Sequence, residues 1–346
     1  MNLTQIIKPE EITNGNTLNN VVLAVTQLGD RKLTKTGKGY LNIQANYQVP
    51  NNDNPDNPNF QSASIKIWSS DNLPNDFQAG FLVMVKQIKF DTFHDQLQWI
   101  TDGSDYQMIY PNNQLKLKYG DFVEHSYWSH EQLHQGIQHY IDRISNPLYQ
   151  QIIKQSYQTI IDQGIDLYEM PAAISMHHAF ASGLMTHTLS MLKIADGILT
   201  NTIYHQLCDQ NLVFTGILLH DLGKALCYTN AYSHVETTSG TLFDHIIIVD
   251  GLMTNIAEKI TGKSYLDLLQ DQDFDKLRQV VIAHHGKLEW GAPMQPELPE
   301  GWLVHYVDLL DSHMETVRES MMHEPTNDEG FTGKIYGLDN SRLWTK

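Results

Sequence analysis

The chain has 346 residues, of which 41% are hydrophobic and 18% charged, and its formal net charge is −17. This length suffices for two domains that each bury a core, and the sequence lacks both an apolar run of about 18 residues that would cross a membrane and an N-terminal secretory signal. Two cysteines are too few for a disulfide framework, so we expect a globular cytoplasmic protein that is not bound to membranes.

Short β-branched or alternating segments between about residues 18 and 110 predict strands. The clearest are residues 21–25, 40–45, 64–68 and 81–85. Residues 35–39 predict a turn between two of them, and the Asn-, Asp- and Pro-rich stretch from Asn51 to Asn59 predicts a polar loop. Four or five strands in about 90 residues predict a small β-barrel.

From about residue 130 the hydrophobic spacing becomes helical and stays so to about residue 320. Pro147 is expected near the start of a helix. A boundary between Phe122 and His130 gives a barrel domain over residues 1–126, a helical domain over residues 127–325 and an irregular tail over residues 326–346. The negative charge is uneven: residues 1–126 carry 10 Lys and Arg against 13 Asp and Glu, and the rest carries 13 against 27. Bound divalent cations would offset part of this acidic charge and face a phosphate themselves.

Five short stretches of the helical part place His or Asp on or beside an apolar helix face. They are His187, His220-Asp221, His245, His284-His285 and Asp308. Each residue alone is compatible with a core histidine or a salt-bridged aspartate. Together they favour a site for divalent metals, because imidazole and carboxylate suit Mn²⁺, Fe²⁺, Co²⁺, Ni²⁺ and Zn²⁺. Two such ions about 3.5–4 Å apart can hold the attacking and leaving oxygens of a phosphodiester.

The neighbours of these residues allow more than one interpretation. A buried Asp221 has to be paired or metal-bound, because burying a bare carboxylate is costly. Lys224 can reach a phosphate oxygen or lie exposed near the end of its helix. Gly223 is expected to end that helix in a left-handed conformation. Asp311 and Glu315 are expected to be solvated.

The order of the predicted ligands and several longer strings carry a family resemblance. The strings are PAA at 171–173, HHAF at 177–180, HDLGK at 220–224, AHHGKLEWG at 283–291 and HYVDLLD at 305–311. The order resembles the HD superfamily of metal-dependent phosphohydrolases, and the strings resemble its YhaM-type 3′-to-5′ exoribonucleases. The resemblance implies a multidomain α and β protein, in which an OB-like β-barrel precedes an all-α HD-domain helical bundle.

The resemblance also implies an activity and a ligand set. The family removes nucleotides from the 3′ ends of single-stranded RNA, and of DNA to some extent, with Mn²⁺ as the usual activator. Asp221 would bridge two metals, with His187, His220 and Asp308 completing one site. His245 with His284 or His285 would complete the other. The resemblance makes His177 and His178 substrate contacts, although the two also suit a polar pair at a helix start.

The N-terminal domain offers candidates for binding the nucleic acid. A single-strand groove needs aromatic faces and cations, and an aromatic side chain in a small barrel can equally belong to the core. The candidates are Tyr40, Lys66 and Trp68, followed by Tyr47, Phe81, Lys86 and Lys89.

The predicted function is thus a metal-dependent 3′-to-5′ exonuclease that releases 5′-mononucleotides, as a monomer or a homo-oligomer. One alternative is an HD-domain nucleotidase or cyclic-nucleotide phosphodiesterase that acts on small molecules, which would need no strand-holding barrel. The other is an inactive nucleic-acid-binding module, against which the full set of metal ligands argues.

Overall fold

The computed structural model describes residues 3–34, 37–51, 59–110, 117, 119–173, 177–228, 236–323 and 325–346. The chain forms two compact units, one built from residues up to His125 and the other mainly from Ser126 onward. Part of the predicted turn, Lys35-Thr36, and the centre of the predicted polar loop, residues 52–58, lie outside the described residues.

The N-terminal unit is a closed β-barrel. Its strands are β1 (Thr17–Leu33), β2 (Gly39–Val49), β3 (Asn59–Trp68), β4 (Phe81–Phe93), β5 (Gln96–Asp102) and β6 (Tyr106–Ile109). β1 pairs with both β2 and β4, β2 pairs with β3, and β5 joins β3 in parallel to β4, which closes a ring in the order 1-2-3-5-4. β6 extends the sheet along β4. This topology confirms the predicted OB-like barrel.

The apolar pattern of the strands follows from the surfaces that cover them. In β1, Val21, Leu23 and Val25 point into the barrel core. Val22 and Ala24 point the other way, into a second cluster that contains Phe122. Because both faces are covered, this strand reads as a continuous apolar run instead of alternating.

The C-terminal unit is helical, as predicted. Its helices are α1 (His130–Arg143), α2 (Pro147–Ile161), α3 (Gly183–Asn201), α4 (Gln210–Leu219), α5 (Lys224–Cys227), α6 (Thr238–Thr261), α7 (Tyr265–Leu268), α8 (Gln272–Ile282) and α9 (Pro299–His323). Pro147 occupies the first turn of α2, behind an Asn146 side chain that caps the helix, which confirms the expected helix start. Within the described part of the chain, no helix combines the length and apolar character that crossing a membrane requires.

After α9 the chain has little regular structure. Isolated bridges join Thr326 to Thr332, Phe331 to Trp344 and Ile335 to Ser341, and the only helical element described there is a 3₁₀ turn at Tyr336–Leu338.

Candidate metal centre

The seven predicted metal ligands lie together inside the helical unit. His187, His245 and Asp308 lie within α3, α6 and α9, whereas His220-Asp221 and His284-His285 directly follow α4 and α8. Their ligand atoms form groups of three that lie within 4.8 Å of one another: His187, His220 and Asp221; His220, His284 and Asp308; and His245, His284 and His285. The apolar faces that carry these residues on separate helices therefore meet at one point.

Asp221 lies at the middle of the cluster, and its two oxygens face different histidines. Oδ1 is 3.2 Å from His245 Nε2 and 3.7 Å from His284 Nε2. Oδ2 is 3.3 Å from His220 Nε2 and 3.7 Å from His187 Nε2. The carboxylate thus stands between two pairs of imidazole nitrogens.

Two further groups complete the side of the cluster that faces Asp221 Oδ2. Asp308 Oδ1 lies 3.2 Å from His187 Nε2. The Lys224 ammonium lies 2.7 Å from Asp221 Oδ2, and only 17% of this side chain is exposed. Lys224 is therefore an inward-facing cation at the centre and not a solvated residue at a helix end.

All five histidines of the predicted ligand set use Nδ1 for a hydrogen bond and direct Nε2 elsewhere. The Nδ1 partners are the Asp311 carboxylate for His187 (2.7 Å), the Ile217 carbonyl for His220 (2.7 Å), the Asp244 carboxylate for His245 (2.5 Å), the Val281 carbonyl for His284 (2.7 Å) and the Trp290 carbonyl for His285 (2.9 Å). A carbonyl oxygen only accepts, so the ring nitrogen facing it donates. An Nδ1–H that is held in this way leaves Nε2 as the nitrogen that faces an ion, as in metal-ligating histidines.

Buried polar atoms without a hydrogen-bond partner mark the centre of the cluster. They include Asp221 Oδ1, His245 Nε2 and His284 Nε2, and these residues are 3%, 5% and 0% exposed. An unsatisfied buried polar atom costs about 1–3 kcal/mol. A divalent cation among these atoms would satisfy all three, so the residues present fit a metal.

The charges of the cluster suit cation binding. Burial alone would raise the pKa of Asp221, but Lys224 and then His220 hold it well below its usual range. Burial likewise opposes ionisation of Asp308, whose hydrogen bond with His187 keeps its pKa low. Burial, followed by the neighbouring His285, lowers the pKa of His284, which leaves a neutral ring. The centre therefore offers ionised carboxylates beside a neutral imidazole.

Gly223 lets two parts of the cluster approach each other. Its backbone is right-handed, with φ −59° and ψ −25°, so the predicted left-handed helix end is wrong. Glycine is needed here for space, because a Cβ atom would lie 2.1 Å from the carbonyl oxygen of His245. This close contact brings His220-Asp221 next to the start of the regular part of α6.

His245 follows a strained residue. Asp244 has φ 59° and ψ 164° and separates the first turns of α6 from the rest of the helix. Residues other than glycine adopt this conformation at a cost of about 1–3 kcal/mol, and such strain is concentrated at functional sites. The Asp244 carboxylate accepts hydrogen bonds from both the backbone N–H and the Nδ1–H of His245, so the kink orients the imidazole.

The two histidines predicted to contact the substrate lie in different environments. His177 is half-buried, with its ring centroid 6.3 Å from that of His187. Burial, with the nearby His187 and Lys224, lowers the pKa of His177 to about 4. His178 is fully buried, and its Nε2 lies 2.8 Å from the Asp311 carboxylate. The structure therefore brings both to the cluster, with His177 the more accessible.

Asp311 and Glu315 are not solvated as expected. They are 6% and 5% exposed. Asp311 accepts hydrogen bonds from His178, His187 and Ser190, while Glu315 binds Arg318. The spacing of three residues between Asp308 and Asp311 could have indicated that Asp311 is buried, because residues three apart lie on the same helix face.

Sequence reasoning also missed His305, whose side chain supports the His284-His285 pair. It is 4% exposed, and its Nδ1 donates to the His284 carbonyl at 2.9 Å. Its ring packs on Gly286, where a Cβ would lie 2.3 Å from it and where φ is +75°. This contact explains the glycine that follows the two histidines.

The barrel carries the three preferred nucleic-acid candidates as one half-buried surface patch. Tyr40 pairs with Trp68 across β2 and β3, with ring centroids 5.5 Å apart. The Lys66 ammonium lies 4.5 Å from the centroid of each ring. Lys86 and Lys89 are exposed elsewhere on β4. Tyr47 is a buried core residue packed on Trp99 and is not available for stacking, and the half-buried Phe81 packs against the same core.

Comparison with known proteins relates the chain to one family of nucleases. No protein-family model matches it. The 3′-5′ exoribonuclease YhaM of Listeria welshimeri is 31% identical over 224 residues, which are 65% of this chain and 67% of the relative. The proteins of the same name from Geobacillus and Bacillus pumilus are 31% identical over 228 residues and 29% identical over 286 residues, the latter covering 82% of this chain and 85% of the relative. The chain therefore belongs to the YhaM family of 3′-5′ exoribonucleases.

Proposed function

We propose that the protein is a metal-dependent 3′-5′ exonuclease that hydrolyses single-stranded RNA, with single-stranded DNA as a second candidate substrate, and releases 5′-mononucleotides. The observation that carries the metal-dependent part is the position of Asp221. Each of its oxygens faces its own pair of imidazole nitrogens. A carboxylate in this position can be shared by two divalent cations, which is the arrangement of two-metal phosphodiesterases.

The histidine pairs assign the ligands of the two proposed ions. His187, His220 and Asp308 would bind one ion with Asp221 Oδ2. His245, His284 and His285 would bind the other with Asp221 Oδ1. Both His284 and His285 belong to this second set, because each has Nδ1 engaged by a backbone carbonyl and both lie with His245 in one group.

The nitrogen and oxygen donors suit Mn²⁺, our first choice, as well as Co²⁺, Fe²⁺, Ni²⁺ and Zn²⁺. When bound, two such ions stabilise the charge that develops on the attacking and leaving oxygens of a phosphodiester. The protein supplies the positions of the ligands, which the Nδ1 hydrogen bonds hold before an ion arrives.

Lys224 and His177 are the proposed contacts to the RNA. The Lys224 ammonium is already held at the centre by Asp221, so a short movement would direct it to a non-bridging phosphate oxygen as a point charge. His177 is a neutral imidazole at neutral pH, because its pKa is lowered to about 4. A neutral ring can accept a hydrogen bond from the terminal nucleotide or donate one to it.

The barrel patch of Tyr40, Lys66 and Trp68 would add affinity for the strand. Two aromatic faces with a cation between them suit unstacked bases and their phosphates, whatever the base sequence. A small-molecule phosphohydrolase has no use for such a patch. The two-cysteine composition fits a reducing cytoplasm, where the proposed substrate is found.

The decisive experiment is digestion of a 5′-labelled single-stranded RNA in the presence of Mn²⁺. We expect a ladder that shortens from the 3′ end and 5′-mononucleotides as product. Asp221→Ala should abolish both, whereas Asp275→Asn, on an exposed position of α8, should not. Intact RNA beside hydrolysed mononucleotides or cyclic nucleotides would indicate a small-molecule enzyme instead. No turnover of any of these substrates would indicate an inactive binding module.

A further inference from the structure

The buried carboxylate of Asp311 lies next to the proposed metal centre but is not among the proposed ligands of either ion. Asp311 Oδ2 lies 2.7 Å from His187 Nδ1 and 2.8 Å from His178 Nε2. Its other oxygen, Oδ1, accepts a hydrogen bond from the Ser190 hydroxyl. Asp311 therefore has both oxygens engaged, and one of its partners is a proposed metal ligand.

This group forms hydrogen bonds and leaves little for an ion to bind. Asp311, His178 and His187 are close enough to hold a cation. However, both Asp311 oxygens and the nitrogens that face them already have partners. In the Asp311 group His178 Nδ1 lacks a hydrogen-bond partner, whereas around Asp221 one carboxylate oxygen and two imidazole nitrogens lack one. The two carboxylates differ accordingly: one faces the ions and the other holds a ligand from behind.

The backbone at His178 is strained, and its ring contacts Asp311. His178 has φ 56°, a left-handed conformation that is costly for a residue with a side chain. Its carbonyl accepts a hydrogen bond from the Ala172 N–H and would lie 2.0 Å from a Cβ at Gly183. Backbone strain is concentrated at functional sites, and the fully buried His178 side chain contacts the Asp311 carboxylate.

We propose that Asp311 is a positioning residue for the metal centre and that His178 serves it, instead of contacting RNA. Asp311 holds His187 in the tautomer whose Nε2 faces Asp308 and Asp221. His178 and Ser190 hold Asp311 in turn, so that His187 does not rotate when an ion dissociates. This inference rests on the proposed metal-dependent function.

Calorimetric titration of the full-length protein with Mn²⁺ tests the role of Asp311 without relying on activity. Loss of a partner behind a metal-bound histidine typically weakens metal affinity by about 10–100-fold, and we expect a loss of that size for Asp311→Asn. Glu315→Gln is the matched control: Glu315 lies four residues further along α9 and is equally buried, but it binds Arg318 and no histidine. It should titrate like the unmodified protein.

Two milder variants keep the test valid if Asp311→Asn fails to fold. Ser190→Ala removes one donor to Asp311, and His178→Phe removes another while filling the same buried space. Both should weaken Mn²⁺ binding less than Asp311→Asn. At saturating Mn²⁺ the three variants should keep the KM for RNA, since none of these side chains touches the strand. A raised KM in His178→Phe would restore His178 as a substrate contact and overturn its part of the proposal.

The outcomes separate this inference from the function on which it rests. If Asp221→Ala abolishes Mn²⁺ binding while Asp311→Asn binds as tightly as the unmodified protein, the positioning role is wrong and the metal centre stands. Equal losses in Asp311→Asn and Glu315→Gln would reduce Asp311 to a general packing role. If Asp221→Ala binds Mn²⁺ normally, the proposed metal centre itself is wrong.

Discussion

His245 Nε2 and Asp221 Oδ1 lie 3.2 Å apart, yet neither atom has a hydrogen-bond partner. Both are buried, and the Nδ1 of His245 is held from the other side by Asp244. A protein that leaves an imidazole nitrogen and a carboxylate oxygen unpaired at this distance gains stability when a cation binds both. Asp221 is shared by both halves of the proposed centre but His245 belongs to one of them, so substitution of His245 should separate the halves.

The number of bound ions should depend on which ligand is removed. Asp221→Ala should remove both ions, because each half of the centre shares this carboxylate. His245→Ala should remove only the ion held by His245, His284 and His285. Elemental analysis of protein purified without chelator and dialysed against Mn²⁺ gives the ratio of metal to protein. Loss of both ions in His245→Ala would show that the halves are not independent.

His284 and His285 should not contribute equally to metal binding. His284 is fully buried and its Nε2 lies 3.7 Å from Asp221 Oδ1, whereas His285 is half-buried. Removal of a direct ligand should cost more than the roughly 100-fold upper range for a supporting residue, and we expect such a loss for His284→Ala. His285→Ala should cost less. Mn²⁺ titrations of the two variants measure the difference, and a larger loss at His285 would contradict the expected order of the two ligands.

Binding of the metal should release protons. Burial lowers the pKa of His187, but its hydrogen bonds with Asp308 and Asp311 outweigh this effect and raise the pKa to about 10. Below that pH the ring carries a proton on Nε2 that an ion has to displace. The apparent Mn²⁺ affinity should therefore rise as the pH rises toward 10. Calorimetry in two buffers with different ionisation enthalpies counts the protons, and zero release would contradict the raised pKa.

The barrel patch should affect RNA binding and not the chemical step. Stacking of one base on an aromatic side chain contributes about 1–3 kcal/mol, or roughly 5- to 150-fold in affinity. We expect Trp68→Ala and Tyr40→Ala to weaken binding of single-stranded RNA in this range, and Lys66→Ala to reduce its dependence on salt. Phe93→Ala is the control, because Phe93 is an aromatic residue of the same barrel that is 60% exposed and outside the patch.

The close contact at Gly223 should make that position intolerant of a side chain. Gly223→Ala places a Cβ 2.1 Å from the His245 carbonyl oxygen, and overpacking of this kind costs about 1–3 kcal/mol. Gly251→Ala in α6 meets nothing within 4 Å and should stabilise the helix by about 0.5–1 kcal/mol. Urea unfolding of the two variants compares these effects. A neutral Gly223→Ala would mean that α6 shifts freely away from the centre.

The amino-acid sequence by itself predicted the barrel, the helical unit and the seven ligand candidates. Period-two and helical spacing are local properties, and inward-facing His and Asp stand out against apolar stripes such as that of α3. β1, β2 and the helix start at Pro147 followed from such patterns, whereas the family followed from the resemblance of the longer motif strings.

Only the tertiary structure decided how these residues are used. No local pattern shows that Asp221 turns one oxygen to His245 and the other to His220, because the segment that follows α4 meets α6 at Gly223 through a contact that depends on the whole fold. No local pattern shows the position of Asp311 either, because its carboxylate would suit a solvated helix face as well as a hydrogen bond with His187 Nδ1. Burial and hydrogen-bond partners are set by packing between distant segments, and periodicity along one segment does not contain them.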